Sequence, residues 1–129
     1  MLIYKPFYQH YQAMFHLNNH MTYWLYPQPV SMRLGFNGLS GIVTNKMGMS
    51  VQEGDVFIFI NASRNQMKLL HQEHVGLVLY SLRLPLGRIH PSCFMDHNAS
   101  LNYDELITLI ESAINSPYVR RLRMLAGEL

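Results

Sequence analysis

Three closely spaced runs of strand-forming residues within residues 55–84 constrain the fold of this chain more than any other feature. The runs cover residues 56–60, 66–71 and 77–84, and the breaks between them are each about five residues long. Breaks of that length commonly close hairpins, so each run is expected to pair with its neighbour in an antiparallel meander. The first run is apolar at both odd and even positions, which is typical of a strand covered on both faces. It is therefore predicted to be the central strand.

Two stretches outside the meander have the apolar spacing of amphipathic helices. From Met32 to Gly48 apolar residues recur every three or four positions, and Ser31 is the expected N-cap. Residues 101–114 repeat the pattern, and Asn102 followed by a glutamate three residues later resembles a capping box. Both helices are expected to cover the sheet.

Two further segments have the composition of strands. Residues 20–26 are dense in threonine and aromatics and stop at prolines, and residues 88–90 are expected to form a short strand before a loop over residues 91–100. Together these patterns predict an α+β fold, an antiparallel meander sheet of about four to five strands packed against two helices.

Gly35, Gly38 and Gly41 lie at steps of three within the first predicted helix. Each costs about 1 kcal/mol relative to alanine in a helix interior. Their spacing puts them along a narrow stripe, which predicts a close approach of the helix backbone to a strand. A phosphate-binding loop is not indicated, because the required glycine pattern in a strand-to-helix turn is missing.

The composition is that of a single globular domain with a thinly charged surface. The chain has 129 residues, of which 49% are hydrophobic and only 14% charged, so it is expected to rely on a partner for solubility. We expect an N-terminal arm over residues 1–13, one α+β domain over residues 14–116 and a basic C-terminal tail over residues 117–129.

The net charge and the single cysteine bear on the possible partners and on the cellular compartment. A formal net charge of +2 gives too weak a global field for nucleic acid, so any such binding must come from local clusters. The single cysteine cannot form an internal disulfide, and no apolar run is long enough for a signal peptide or a membrane span. A cytoplasmic protein with no membrane partner is expected.

A catalytic or metal site has little support in the sequence. His90, Cys93, Asp96 and His97 lie within eight residues, but a closed zinc site usually needs paired ligands from two separated segments. Cys93 as a nucleophile would need one of these histidines as its base, and no family signature surrounds it. The acidic residues fit turns and helix starts. We expect no catalytic residues, no metal and no cofactor.

Five cations stand near the predicted meander and the first helix: Arg33, Arg64, Lys68, Arg83 and Arg88. Phosphate contacts require cations that cluster in space. If these five gather on one surface they form a DNA-binding site, and if they do not they are separate solvated charges. The residues alone leave both interpretations open.

The chain resembles a known family in five segments that occur in a specific order and spacing. The segments are YWLYPQPVSMRLGFNGLSGIV, GDVFIFIN, MKLLH, GLVLYSLRL and LNYDELITLIESAI. From about residue 14 to residue 114 it is similar to the small accessory protein encoded by the second reading frame of the insertion-sequence sixty-six family of bacterial transposable elements, often labelled a transposase. Met32 and Arg33 keep the Met-Arg pair of that family. The chain departs from the family pattern at five positions. Ser31 stands where the family usually has Asp, and Gln72 where it has Trp. Leu34, Leu82 and Leu86 stand where the family often has Lys.

The resemblance implies a non-catalytic accessory role in transposition, beside a separate and larger transposase that carries the strand-transfer chemistry. The expected partners are DNA at the ends of the element and that transposase. Two alternatives remain: a protein-interaction module that does not bind DNA, and a drifted, inactive remnant whose charged surface is depleted.

Overall fold

The computed structural model of the chain describes residues 17–114 and 124–125 and shows a five-stranded mixed sheet with two helices. The strand order is β4-β3-β2-β1-β5. The elements are β1 Thr22–Leu25, α1 Phe36–Asn45, β2 Asp55–Ile60, β3 Gln66–Glu73, β4 Gly76–Arg83, a 3-10 turn at Pro91–Cys93, β5 Ala99–Leu101 and α2 Tyr103–Ile114. The predicted α+β class is confirmed. The predicted arm over residues 1–13 lies outside the described residues, as does the predicted tail apart from residues 124–125.

The predicted meander is confirmed, with β2 at the centre of the sheet. β2 pairs antiparallel with β3, and β3 pairs antiparallel with β4 along all eight of its residues. Every residue from Val56 to Ile60 is buried. Val56, Ile58 and Ile60 join a core that includes Leu106 of α2, whereas the two phenylalanines between them join a core that includes Leu39 of α1. Since fully burying such a side chain contributes about 1.5–3 kcal/mol, β2 anchors both layers.

The sheet is not antiparallel throughout, because β1 pairs parallel with β2. Parallel neighbours need a crossover connection, and the segment that contains α1 supplies it. β5 pairs antiparallel with β1 and lies at the end of the segment expected to be a loop. Residues 88–90, expected to form a strand, form none, since the Ile89 N–H is hydrogen-bonded to Arg64 O at 2.8 Å in a loop.

The first helix begins four residues later than the apolar spacing predicted. Gly35 is its N-cap, and the predicted cap Ser31 instead accepts a hydrogen bond from the Arg33 N–H at 3.2 Å in a turn before the helix. The apolar residues before Phe36 still pack on the α1 core, which is why they continue the helical spacing without being helical. The expectation for Ser31 was therefore wrong.

Among the described residues, no strand packs against the glycines of α1. A Cβ atom added at Gly38 would lie 2.8 Å from Cδ2 of Leu34, and one added at Gly41 would meet only Asn45 Nδ2, at 3.9 Å. Gly38 thus makes room for the chain immediately before the helix, and Gly41 has open space beside it. The predicted contact between this stripe and a strand was wrong.

The capping box of the second helix is confirmed. Asn102 Oδ1 accepts a hydrogen bond from the Glu105 N–H at 2.8 Å, and Glu105 Oε1 accepts one from the Asn102 N–H at 2.9 Å. Two of the amides at the helix start are satisfied reciprocally. α2 then buries Leu106 and Ala113 against the sheet.

Candidate nucleic-acid interface

Charge is segregated along the strands of the meander. The last residues of β2 and β4 and the first residues of β3 meet at one end of the sheet, because the three strands are antiparallel neighbours. We call this the basic end, and its cations are Arg33, Arg64, Lys68, Arg83 and Arg88. The opposite end, where β2 starts and β3 finishes, is the acidic end, defined by Glu53, Asp55 and Glu73.

Backbone hydrogen bonds bring the segments of the basic end together. The Val30 N–H donates to Ile60 O at 3.0 Å, so the chain leading to Arg33 runs beside the end of β2. The Leu84 N–H donates to Asn65 O at 2.8 Å, which fixes the segment after β4 against the β2–β3 hairpin. The Arg64 carbonyl accepts from the N–H of the residue after Arg88. Cations far apart in sequence therefore become neighbours in the fold.

Lys68 has a defined structural position at this end. Its Nζ donates to the carbonyl oxygens of Met32, at 2.8 Å, and Leu34, at 2.9 Å, on either side of Arg33. Lys68 is paired with Ser81, two residues from Arg83 on β4. Because side chains alternate along a strand, Lys68 and Arg83 both lie on the α1 face of the sheet. The segment that carries Arg33 is bonded to Lys68 on this face, and we therefore treat Arg33, Lys68 and Arg83 as one group.

Arg64 is directed away from this group. It adopts a left-handed backbone conformation with φ 59°, and its Nη1 donates to Ile89 O at 2.6 Å. Burial raises the pKa of the Cys93 thiol, and the nearby Arg64 guanidinium partly offsets this effect. Since Cys93 belongs to the α2 core, the Arg64 side chain lies toward the α2 face. Arg88 is exposed in the loop that follows β4.

No carboxylate of the described residues forms an ion pair with a cation of the basic end. Among the described residues the ion pairs join His71 to Glu73, His74 to Glu53 and His97 to Asp96, and none involves an arginine or a lysine. Arg33, Arg83 and Arg88 are exposed, and Lys68 and Arg64 are half-buried. Their positive charge is therefore available to an anion in solution.

The acidic end contains a buried polar network that the sequence did not reveal. His71 Nδ1 lies 3.0 Å from Asp55 O, and its Nε2 lies 3.9 Å from Glu73 Oε2. The Tyr80 hydroxyl donates to the same Glu73 oxygen at 2.5 Å. The alternation of β3 was the available signal, since it places His71 and Glu73 on the face of the apolar Met67 and Leu69.

The loop that raised the question of metal or nucleophilic chemistry does not gather its side chains. His90 Nδ1 accepts from the Ser92 N–H at 3.1 Å and caps the 3-10 turn, while His97 Nδ1 lies 2.8 Å from Asp96 Oδ1 at the surface. The His97 hydrogen bond lowers the pKa of Asp96. Cys93 is 1% exposed. No three His, Cys, Asp or Glu side chains in the described part of the chain are placed to hold a metal ion.

These features define a small α+β protein with an open mixed sheet whose cations gather at one end. The model of the family described as IS66 Orf2 like protein matches residues 21–117, which is most of the chain, and the protein belongs to this family. The resemblance stated from the sequence is confirmed. The family is one of accessory proteins and not a known catalytic family, and membership supports a transposition-associated accessory role.

Comparisons with curated proteins and with solved structures give no match. Within the described residues, no helix has the length and apolar character needed to cross a membrane.

Proposed function

We propose that this protein assists transposition of an insertion sequence by binding the phosphate backbone of DNA through its basic end, without catalysing a reaction itself. In this proposal the strand transfer belongs to a separate transposase, and the setting is the cytoplasm, where bacterial DNA lies. The observation that carries the proposal is the hydrogen bonding of Lys68 to Met32 and Leu34, since it holds Arg33 beside the two strands that carry Lys68 and Arg83.

The chemistry of these side chains suits phosphate more than bases. An exposed arginine offers a planar fork of N–H donors that binds phosphate oxygens in a bidentate manner. Such contacts fix a protein on the duplex without reading its sequence. The basic end is therefore proposed as a positioning surface, and any preference for the ends of an element would come from additional contacts.

The cations are expected to contribute unequally. Arg33 and Arg83 are exposed and lie in one group with Lys68, so each is expected to contact a phosphate. Arg64 already donates to Ile89 O, which leaves fewer of its donors for DNA. Arg88 is exposed in the loop after β4 and does not belong to the group of Arg33, Lys68 and Arg83, so it is expected to contribute less than Arg83.

A salt titration of DNA binding tests this proposal. Fluorescence anisotropy with a labelled duplex from an element end should show a steep loss of affinity with salt, and each phosphate contact contributes about 0.9 to the slope of log K against log salt. Arg33→Gln and Arg83→Gln should each reduce the slope by about one, and Arg64→Gln by less.

Lys46→Gln is the matched control, because Lys46 is an exposed cation at the opposite end of α1. It should leave the slope unchanged. A flat salt response of the unaltered protein, or an effect of Lys46→Gln as large as that of Arg83→Gln, would contradict the proposal.

A second candidate function, docking on the transposase, is favoured by Phe36. This aromatic side chain is 45% exposed, and Phe36 is the first residue of α1, beside the basic end. Large aromatic residues next to arginine are enriched where proteins bind one another. Co-purification with the transposase should then survive nuclease treatment and be weakened by Phe36→Ala. Thr44→Ala, at an exposed position of the same helix, is the control.

A further inference from the structure

β4 is an edge strand of the sheet formed by the described residues. It is eight residues long and pairs with β3 from Gly76 to Arg83 without a bulge. The Leu84 N–H donates to Asn65 O, so these two residues are a hydrogen-bonded pair. Hydrogen-bonded and non-hydrogen-bonded pairs alternate along an antiparallel ladder. The even-numbered residues of β4 therefore bond to β3, and the odd-numbered ones direct their N–H and C=O groups away from the sheet. The outward-directed residues are Leu77, Leu79, Ser81 and Arg83.

This edge lacks the features that usually prevent strand addition. Natural edge strands are protected by proline, lysine, inward-pointing charges, bulges or short length. Between Gly76 and Leu82 there is no proline and no charged residue. Val75, in the turn before β4, is 91% exposed, and Leu77, near the start of the strand, is 38% exposed. The edge thus combines a row of outward backbone groups with exposed apolar side chains, which is the surface that another strand recognises.

We propose that a second copy of this chain pairs antiparallel with β4 about a two-fold axis, so that two five-stranded sheets become one continuous sheet. The separation of the basic end from the acidic end favours a second copy of this chain as the partner, and antiparallel pairing of the two β4 strands. Antiparallel pairing places the basic end of each copy beside the acidic end of the other, where the carboxylate of Glu53 is exposed. Parallel pairing would bring the two basic ends together, and like charges at close range are unfavourable.

The side chains of β4 are compatible with such an axis. A two-fold axis perpendicular to the sheet keeps the α1 faces of both copies on the same side, so residues of equal parity must face each other. With Leu79 on the axis, Leu77 faces Ser81 of the second copy, and Arg83 lies beside the β3–β4 turn of that copy. Apolar and small residues then fill the centre and no like charges oppose each other, as stable cross-strand pairs require.

The two arginines at the ends of the paired strands would be well separated. Arg83 lies four residues from Leu79, so at about 3.4 Å per residue the two Arg83 Cα atoms would be about 27 Å apart along the strands. Both basic groups would lie on the same side of the continuous sheet. This arrangement does not depend on DNA binding, so the dimer can be tested even if the proposed function fails.

Sedimentation equilibrium of the full chain tests the proposal. We expect a dimer of the 15.0 kDa chain. Ser81→Pro removes an outward N–H without removing a hydrogen bond to β3, and should raise the dimer dissociation constant by about tenfold or more. Ser81→Thr keeps the N–H and suits a strand, and should behave like the unaltered protein.

Amide hydrogen exchange gives a second measurement that needs no variant. The amides of Leu79 and Ser81 should exchange slowly while the dimer is populated and faster on dilution, whereas the amides of Val78 and Tyr80, bonded to β3, should be insensitive to dilution. The fluorescence of Trp24 checks that Ser81→Pro has folded.

Three outcomes would overturn the proposal. The first is a full chain that stays monomeric at every accessible concentration. The second is a dimer that persists in Ser81→Pro, while in the unaltered chain the amides of Leu79 and Ser81 exchange fast. The third is a chain that dimerises only after residues 1–16 are removed. The last result would assign the edge to the chain's own N-terminal segment.

Discussion

Lys68 and Met32 are 36 residues apart in the chain, yet the Lys68 ammonium donates a hydrogen bond of 2.8 Å to the Met32 carbonyl. A second bond from the same ammonium, to Leu34 O, spans the other side of Arg33. A cation of the central meander therefore fixes the segment that enters α1. Lys68 was predicted from the sequence as a phosphate contact, and the structure gives it this additional role.

Replacing Lys68 by methionine should destabilise the fold. Lys68→Met keeps the apolar stem but removes the donors of two charge-assisted hydrogen bonds and leaves two carbonyl groups without them. We expect the free energy of unfolding to fall by about 2 kcal/mol, as measured by urea denaturation. Lys46→Met, at an exposed cation, should change it by no more than about 0.5 kcal/mol. Equal effects of the two variants would contradict the structural role of Lys68.

Two glycines of α1 should respond differently to alanine. At Gly41 a Cβ atom would meet only Asn45 Nδ2, at 3.9 Å, so Gly41→Ala should raise the free energy of unfolding by about 0.5–1 kcal/mol through helix propensity and lower entropy of the unfolded chain. At Gly38 the new atom would lie 2.8 Å from the end of the Leu34 side chain, which must move. Gly38→Ala should therefore gain less or destabilise. Thermal unfolding of both variants measures the difference. Equal changes in melting temperature for Gly38→Ala and Gly41→Ala would contradict the prediction.

The capping box of α2 gives a third prediction. Asn102→Ala removes the side chain that accepts the Glu105 N–H and should cost about 1 kcal/mol of stability in chemical denaturation. Glu105→Gln keeps an oxygen that can accept from the Asn102 N–H, and should stay close to the unaltered protein. A loss for Glu105→Gln as large as that for Asn102→Ala would show that the glutamate charge, and not the reciprocal bonding, stabilises the helix start.

Tyr23 should make the protein sensitive to alkaline pH. Burial, with a smaller effect of Tyr103, raises the pKa of Tyr23 from 10.0 to about 12. Below pH 10 the hydroxyl is protonated in both states, so its contribution is fully present. Between pH 10 and about 12 the unfolded chain ionises Tyr23 while the folded chain does not, and stability falls as pH rises.

Urea unfolding across this range measures the slope. Tyr23→Phe should make the decline shallower, although it also removes the 2.9 Å hydrogen bond to Asn18 O and so lowers stability at neutral pH. An unchanged alkaline slope in Tyr23→Phe would contradict the assignment.

The sequence predicted the features of the fold that depend on residues close together in the chain. The meander follows from three strand-forming runs separated by short breaks, and the start of α2 follows from the spacing of Asn102 and Glu105. These features depend on residues that are near each other in the chain, which is why they could be identified without the fold.

The remaining features depend on contacts between distant residues. The parallel pairing of β1 with β2 and the three-residue β5 are determined by which strands meet in space, and a short run such as Ala99–Leu101 carries no periodicity of its own. The late start of α1 has the same origin, because Met32 and Leu34 keep a helical spacing while their carbonyls bond to Lys68. The sequence left the arrangement of the five cations open for this reason. The fold brings the segment of Arg33 to Lys68 and Arg83, whereas the Arg64 side chain lies toward the α2 face.

The inner position of β1 has a consequence for how the chain is made. Thr22–Leu25 leaves the ribosome before either of the strands that flank it, since β2 begins at residue 55 and β5 ends at residue 101. Both borders of β1 are therefore open until β2 is made, and a nascent chain that stops before residue 99 carries an apolar strand with one border uncovered. The sheet is complete only after β5 has been made, and termination before that point leaves a product prone to aggregate.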